Sequence, residues 1–292
     1  MKKTVAFLLS ALLLLLCSCG NEKNVTETST TEAAVYKSAD MLDITNFGTS
    51  FTDCLSRFNA VLSAVKNKVQ ILESEHNKAI KTQNPEKYFL EENYMLTYFD
   101  PFLINSLIIA EGFEERMTEE KAKEYFAPYS NGADIRYESE GSGISSLSFI
   151  SEESVKKYRV EFLKGENSFR LTALTEAGGA ETVDEILEFV DLSENTYIIQ
   201  SADTRCYVEF DDEGKIVYFC CSVLKNSVYD EADRIYGKNT KADRSWASSG
   251  DVNGYLSIHT YSDGILTHSE CSSGPWKTVE INESDYASAF IF

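Results

Sequence analysis

From about residue 130 the chain breaks into short runs in which Tyr, Phe, Ile and Val alternate with polar residues. A period of two marks a strand with one buried face. The pattern predicts strands over 135–140, 144–150, 157–163, 168–174, 186–192, 196–201, 205–210, 216–223, 255–260, 265–271 and 276–281. Turn residues separate them, among them Lys164-Gly165-Glu166-Asn167, Asp212-Glu213-Gly214 and Asp263-Gly264. A parallel neighbour needs a crossover of a dozen or more residues, and most of these gaps are far shorter. The segments are therefore expected to pair in sequence order as an antiparallel meander. A helical interruption is predicted over 228–236 and a polar loop over 237–254; Gly178-Gly179 reads as loop. No internal repeat of fixed period is visible.

Ahead of residue 130 the period is different. Phe51, Leu55, Phe58, Leu62, Val65, Val69 and Leu72 recur at alternating steps of four and three, and His76 takes the next slot. This predicts an amphipathic helix over 50–81, ended by Asn84-Pro85. The stripe suits a coiled-coil partner or a helix lying across the protein's own core, and the extra Val61 and Ile71 widen it toward the second. The stretch 86–129 is densely apolar. Within it 103–110 reads equally as a buried helical turn or a strand, while Thr118 is placed to cap a short helix ending near Ala127-Pro128. With 43% hydrophobic and 12% aromatic residues the chain is of globular type. The expected class is α+β: a helical part over 40–129, with its long helix on a many-stranded antiparallel β-meander over 130–292. The sheet is expected to be curved or partly closed, and the two parts to share one core.

The first 39 residues follow other rules. Met1-Lys2-Lys3 precedes an apolar run to Leu16 of about 13 residues, then Cys17-Ser18-Cys19-Gly20. Spanning a bilayer takes roughly 20 apolar residues, so the run suits a secretory signal better than a membrane helix. Leu16-Cys17-Ser18-Cys19 resembles the lipobox of bacterial lipoproteins. The resemblance implies removal of 1–18 as a signal peptide and a diacylglycerol thioether on Cys19, with palmitate-type chains mooring the protein to the outer face of a membrane. One acyl chain holds marginally, at about 0.8 kcal/mol per buried CH₂, and two hold stably. Residues 19–39 then form a tether: 21–34 read NEKNVTETSTTEAA, too polar to form a core.

Charge narrows the partners. The chain carries 27 Lys+Arg against 47 Asp+Glu. Loss of 1–18 takes Lys2 and Lys3 and no acid, leaving 25 against 47, a formal −22. So acidic a body argues against nucleic acid as a partner, because its phosphates demand clustered Lys and Arg. Anionic headgroups would repel it as well, so the acyl chains alone must provide the anchorage.

Two hairpins have countable registers. A two-residue Asp263-Gly264 turn sets His259 opposite His268, with Tyr261 opposite Leu266 and Ser257 opposite Glu270. His259, His268 and Glu270 are then a candidate transition-metal set. The competing reading makes this a solvated polar face, with Leu256, Ile258, Ile265 and Cys271 on the core side. In the other hairpin, a three-residue Asp212-Glu213-Gly214 turn with a glycine bulge pairs Asp211 with Lys215 and sets Cys206 opposite Cys220. A two-residue Glu213-Gly214 turn sets Cys206 opposite Cys221 instead. Either pair is a candidate disulfide outside the cytosol, and either is equally a set of small core residues.

Among the remaining residues there is no G-x-S-x-G, H-E-x-x-H, P-loop or dinucleotide glycine pattern, and no cofactor is implied. The expected function is non-enzymatic binding of a small molecule or protein at the cell envelope. A carrier of an apolar or lipid molecule held between helix and sheet is the alternative, followed by an envelope hydrolase without a recognisable motif.

Overall fold

The computed structural model describes residues 41–42, 48–83, 93–113, 117–224, 235–237, 242–247, 255–270 and 277–289. The leader, Cys19, the tether, Cys271 and most of 228–254 lie outside the described residues. Among the described residues eleven strands follow one another: β1 (Asp134–Gly141), β2 (Ile144–Ile150), β3 (Ser154–Leu163), β4 (Ser168–Ala177), β5 (Ala180–Asp191), β6 (Thr196–Ser201), β7 (Thr204–Phe210), β8 (Ile216–Leu224), β9 (Tyr255–Ser262), β10 (Ile265–Glu270) and β11 (Lys277–Asn282). They form one antiparallel sheet in the order β1 to β11, each strand beside its sequence neighbours. The sheet is not closed: β1 pairs with β2 and β11 with β10, and the two outer edges do not meet. Because the strands alternate in direction, the turns after β1, β3, β5, β7 and β9 all lie at one end of the sheet.

The class is α+β, and the long helix is α1 (Phe51–Gln83). Its start is a reciprocal cap. Ser50 Oγ accepts from Asp53 N at 3.1 Å, while Asp53 Oδ2 accepts from Ser50 N at 3.0 Å. Phe58, Val61, Val65, Val69 and Leu72 are all buried, and so are Cys54 and Ala64 between them. The stripe is wider than an a/d seam and belongs to the protein's own core. Phe51 sits edge-on to Phe162 of β3 and Phe169 of β4, each at 5.8 Å, and Phe58 is edge-on to Phe169 and to Phe189 of β5. Farther along, Lys68 pairs with Glu283 at 3.2 Å and lies over the Tyr261 ring of β9. No helix among the described residues is long and apolar enough to cross a membrane.

Between α1 and the sheet's sequence come a 3-10 segment (Tyr94–Phe102), α2 (Ser106–Ala110) and α3 (Glu119–Phe126). The segment 103–110 is thus helical, not a strand. Asn105 and Ser106 at the α2 start both donate backbone N–H groups to Glu185 of β5. Thr118 caps α3 as expected, accepting from Lys121 N at 3.3 Å. A smaller core on the sheet's other face joins Val190, Ile198, Tyr207 and Cys220 to Ile235 and Ala247 of the β8–β9 connection.

The strands depart from the sequence expectation chiefly at β4 and β5. Gly178 and Gly179, with φ of 60° and 81°, make a two-residue turn closing a hairpin that reaches well past 174. There both faces are polar and exposed, so no alternation was available to mark it.

Candidate functional site

The β9–β10 hairpin turns on Asp263 and Gly264, both at positive φ (53° and 78°), the geometry of a two-residue primed turn. His259 faces His268, Tyr261 faces Leu266 and Ser257 faces Glu270, as the count required. The face is reversed from the expectation of a solvated polar surface. His259 and His268 are 0% exposed, whereas Ile265 is 39% exposed and Ile258 packs on the smaller core. Pairing decides which side chains share a face, but what covers that face comes from elsewhere in the chain. Here the 3-10 segment covers it.

Glu73 of α1 holds that segment in place by accepting from Tyr94 N at 2.7 Å and Met95 N at 3.2 Å. Tyr98 then lies 5.0 Å from the His259 ring and 5.4 Å from His268, and Phe99 lies 5.8 Å from His259. The imidazoles are 4.4 Å apart between centroids. Glu270 Oε2 accepts from the Tyr98 hydroxyl at 2.8 Å and also from the Tyr94 hydroxyl, and stands 3.7 Å from His268 Nε2. None of the four imidazole nitrogens has a hydrogen-bond partner among the described residues.

These environments move the proton equilibria. Burial pushes the His259 pKa well down, and the neighbouring His268 adds to it. His268 is also lowered by burial, against an opposing pull from Glu270. For Glu270 burial works upward, but the hydroxyls of Tyr94 and Tyr98 outweigh it and hold the carboxyl below its usual value. Burial raises the Tyr98 hydroxyl, and its bonds to Tyr94 and Glu270 raise it further. The result is two neutral imidazoles beside an ionised carboxylate. Among the described residues no group of three or more His, Cys, Asp or Glu side chains is arranged to hold a metal ion. The Glu270 oxygen nearest His268 is occupied by the two tyrosine hydroxyls.

Cys206 and Cys221 belong to the same face as the histidines. Across the sheet Cys206 pairs with Cys221, Cys221 with His259 and His259 with His268. The turn has the three-residue form, with Asp211 bonded to Lys215, yet the register slips by one between Glu209 and Phe210. Val217 is the extra residue. That bulge gives the partner of the two-residue turn, Cys221, and leaves Cys220 on the smaller core. All three are thiols. Burial pushes Cys220 up to about 11 and Cys221 well above its ordinary value.

A sizeable concavity lies elsewhere and was not foreseen from the sequence. A groove of about 820 Å³ opens at the end of the sheet that carries the β1–β2 and β3–β4 turns. Phe51, Phe113, Val160 and Phe162 form its apolar wall, with Ser142 and Lys164 at the turns. A second cavity of about 670 Å³ adjoins it at Gly165 and Glu166. The groove draws on α1, the stretch after α2 and two hairpins, so no local spacing signals it. Phe51 carried a sequence signal as a member of the helix stripe, and Val160, Phe162 and Lys164 as parts of an expected strand and turn, but none of these marks a groove. No protein-family model, curated protein or solved structure matches the chain.

Proposed function

We propose that the protein is a lipoprotein anchored through Cys19 at the outer face of a membrane, where it binds an apolar or amphipathic ligand without transforming it. The groove of about 820 Å³ beside Phe51, Phe113, Val160 and Phe162 carries the binding half of this reading. Its volume falls within the ~300–1,000 Å³ typical of small-molecule sites, and its apolar wall with a few polar groups at the mouth has the usual composition of one. The carrier reading gains from the groove's position, because Phe51 comes from the helix and Val160 and Phe162 from the sheet. The remaining helix–sheet contact is filled by Phe58, Phe169 and Phe189, so the ligand belongs at the helix start. The sheet in this reading bends round α1, consistent with α1 side chains meeting β3 at Phe51 and β9 at Lys68.

Leu42 N donates to Gly214 O at 2.7 Å, which places the first described residues at the β7–β8 turn. That turn lies at the same sheet end as the groove. A tether leaving from there would hold the groove mouth toward the membrane. The test uses the full chain expressed with its leader. Labelled fatty acid should enter the wild type and not Cys19→Ser. An environment-sensitive apolar probe should bind the purified protein, and Val160→Trp, which fills the groove, should weaken it at least tenfold. Probe binding unchanged by Val160→Trp would remove the groove from the proposal, and an unlabelled wild type would remove the anchor.

A further inference from the structure

We propose that Cys206 and Cys221 form a cross-strand disulfide in the exported protein; the inference rests on the extracytoplasmic reading above. The geometric argument concerns parity. Antiparallel partners alternate between hydrogen-bonded pairs, with Cα atoms about 5.5 Å apart, and non-hydrogen-bonded pairs at about 4.5 Å with closer side chains. Leu224 N donates to Asp203 O at 2.7 Å, which marks 203/224 as a hydrogen-bonded pair. Counting along the register of β7 and β8, the pairs 205/222 and 207/220 share that parity. Cys206 and Cys221 therefore occupy the other, closer kind. A Cα separation of about 4.5 Å lies inside the range a disulfide spans, and the side chains need to close by about 1 Å or less.

The slip at Val217 matters here. Without it Cys206 would face Cys220, and the present register puts Cys220 on the opposite face. Cys206 and Cys221 are both fully buried in the main core with their side chains on one face. Bond formation has to precede burial, while the hairpin is still open. The two thiols lose two protons and two electrons, and the bond joins Sγ to Sγ. An extracytoplasmic thiol oxidant, itself a disulfide, takes the electrons and protons and becomes a dithiol. Such exchange proceeds through a thiolate, which the exposed chain supplies far more readily than the folded core.

Trypsin places the two halves in separate peptides, since it cuts after Arg205, Lys215 and Lys225. Cys206 travels in 206–215, and Cys220 with Cys221 in 216–225. Protein from the membrane fraction is alkylated in denaturant without reductant and digested. The two peptides should be recovered linked, two hydrogens lighter than their sum apart from one alkyl group on Cys220 in wild type, both in wild type and in Cys220→Ala, and unlinked in Cys221→Ala. Recovery of both as fully alkylated free peptides from wild type whose Cys19 is labelled would overturn the inference, as would a link that survives Cys221→Ala. A second arm refolds the denatured full chain with oxidised and reduced glutathione. A link formed there but missing in cells, together with an unlabelled Cys19, indicts the export reading alone. Absence of the link in both settings indicts the disulfide.

Discussion

Single buried polar groups carry much of this protein's specificity, and Glu73 is the clearest. It sits on α1 among apolar neighbours and is almost wholly buried, yet its carboxylate accepts from two backbone N–H groups of the 3-10 segment. Replacing it with Ala leaves both donors without those acceptors, and each buried orphan costs about 1–3 kcal/mol. Glu73→Ala should lower the urea midpoint by the equivalent of about 2–6 kcal/mol, with Glu73→Gln losing roughly half as much because one oxygen can still accept. Equal stability of Glu73→Ala and wild type would mean that the segment does not depend on this contact. In the sequence Glu73 looked like one more polar residue on a helix. Its partners are 21 and 22 positions away, so nothing local reveals the role.

At the scale of elements, the 3-10 segment and the β9–β10 hairpin form a pH-sensitive contact. His259 faces Cys221, His268, Tyr98 and Phe99; His268 faces Tyr94, Tyr98 and Glu270. Both imidazoles have pKa values below the ordinary 6.5 in the folded protein. The unfolded chain therefore takes up protons first as pH falls, and stability declines from about pH 6.5 downward until the folded-state values are reached. Each histidine contributes a slope of up to about 1.4 kcal/mol per pH unit in that window. Carboxylates with lowered values, such as Glu270 and Glu283, add their loss only at more acid pH. His259→Leu should flatten the upper window, measured by denaturant unfolding at pH 7.5, 6.5 and 5.5. A slope unchanged by His259→Leu would show that His259 is charged or solvated in the fold. Much of this hairpin was legible: a two-residue turn fixed the register, and the strands alternate. The orientation was not, because a histidine row alternating with Ile258 and Ile265 looks polar-outward until Tyr94, Tyr98 and Phe99 are placed over it. The β4–β5 extension was hidden for the converse reason, since a hairpin exposed on both faces carries no period-two pattern.

Across the whole molecule, the strand order needed only short gaps and alternation, whereas the groove needed Phe51, Phe113 and Phe162 brought to one place, which no spacing encodes. One consequence concerns orientation on a membrane. Leu42, among the first described residues, is bonded to Gly214, so under the proposed anchorage the turns after β1, β3, β5, β7 and β9 would form the end nearest the membrane. That end is acidic: Glu166, Glu194, Asp211, Asp212, Glu213 and Asp263 stand there with Lys164 and Lys215. The opposite end carries the β4–β5 turn. Along β5, of 12 residues, the two ends are separated by about 40 Å at roughly 3.4 Å per residue. A donor dye at Glu194 should therefore transfer energy to headgroup acceptors in neutral vesicles more efficiently than one at Ala180. Adding anionic lipid should shrink the difference, because the acidic end is repelled. Raising salt from 0.1 to 1 M should restore it, as the screening length falls from about 10 Å to about 3 Å. Equal transfer from both positions in neutral vesicles, with the protein bound, would mean that the tether lets the body tumble and that the groove has no preferred direction.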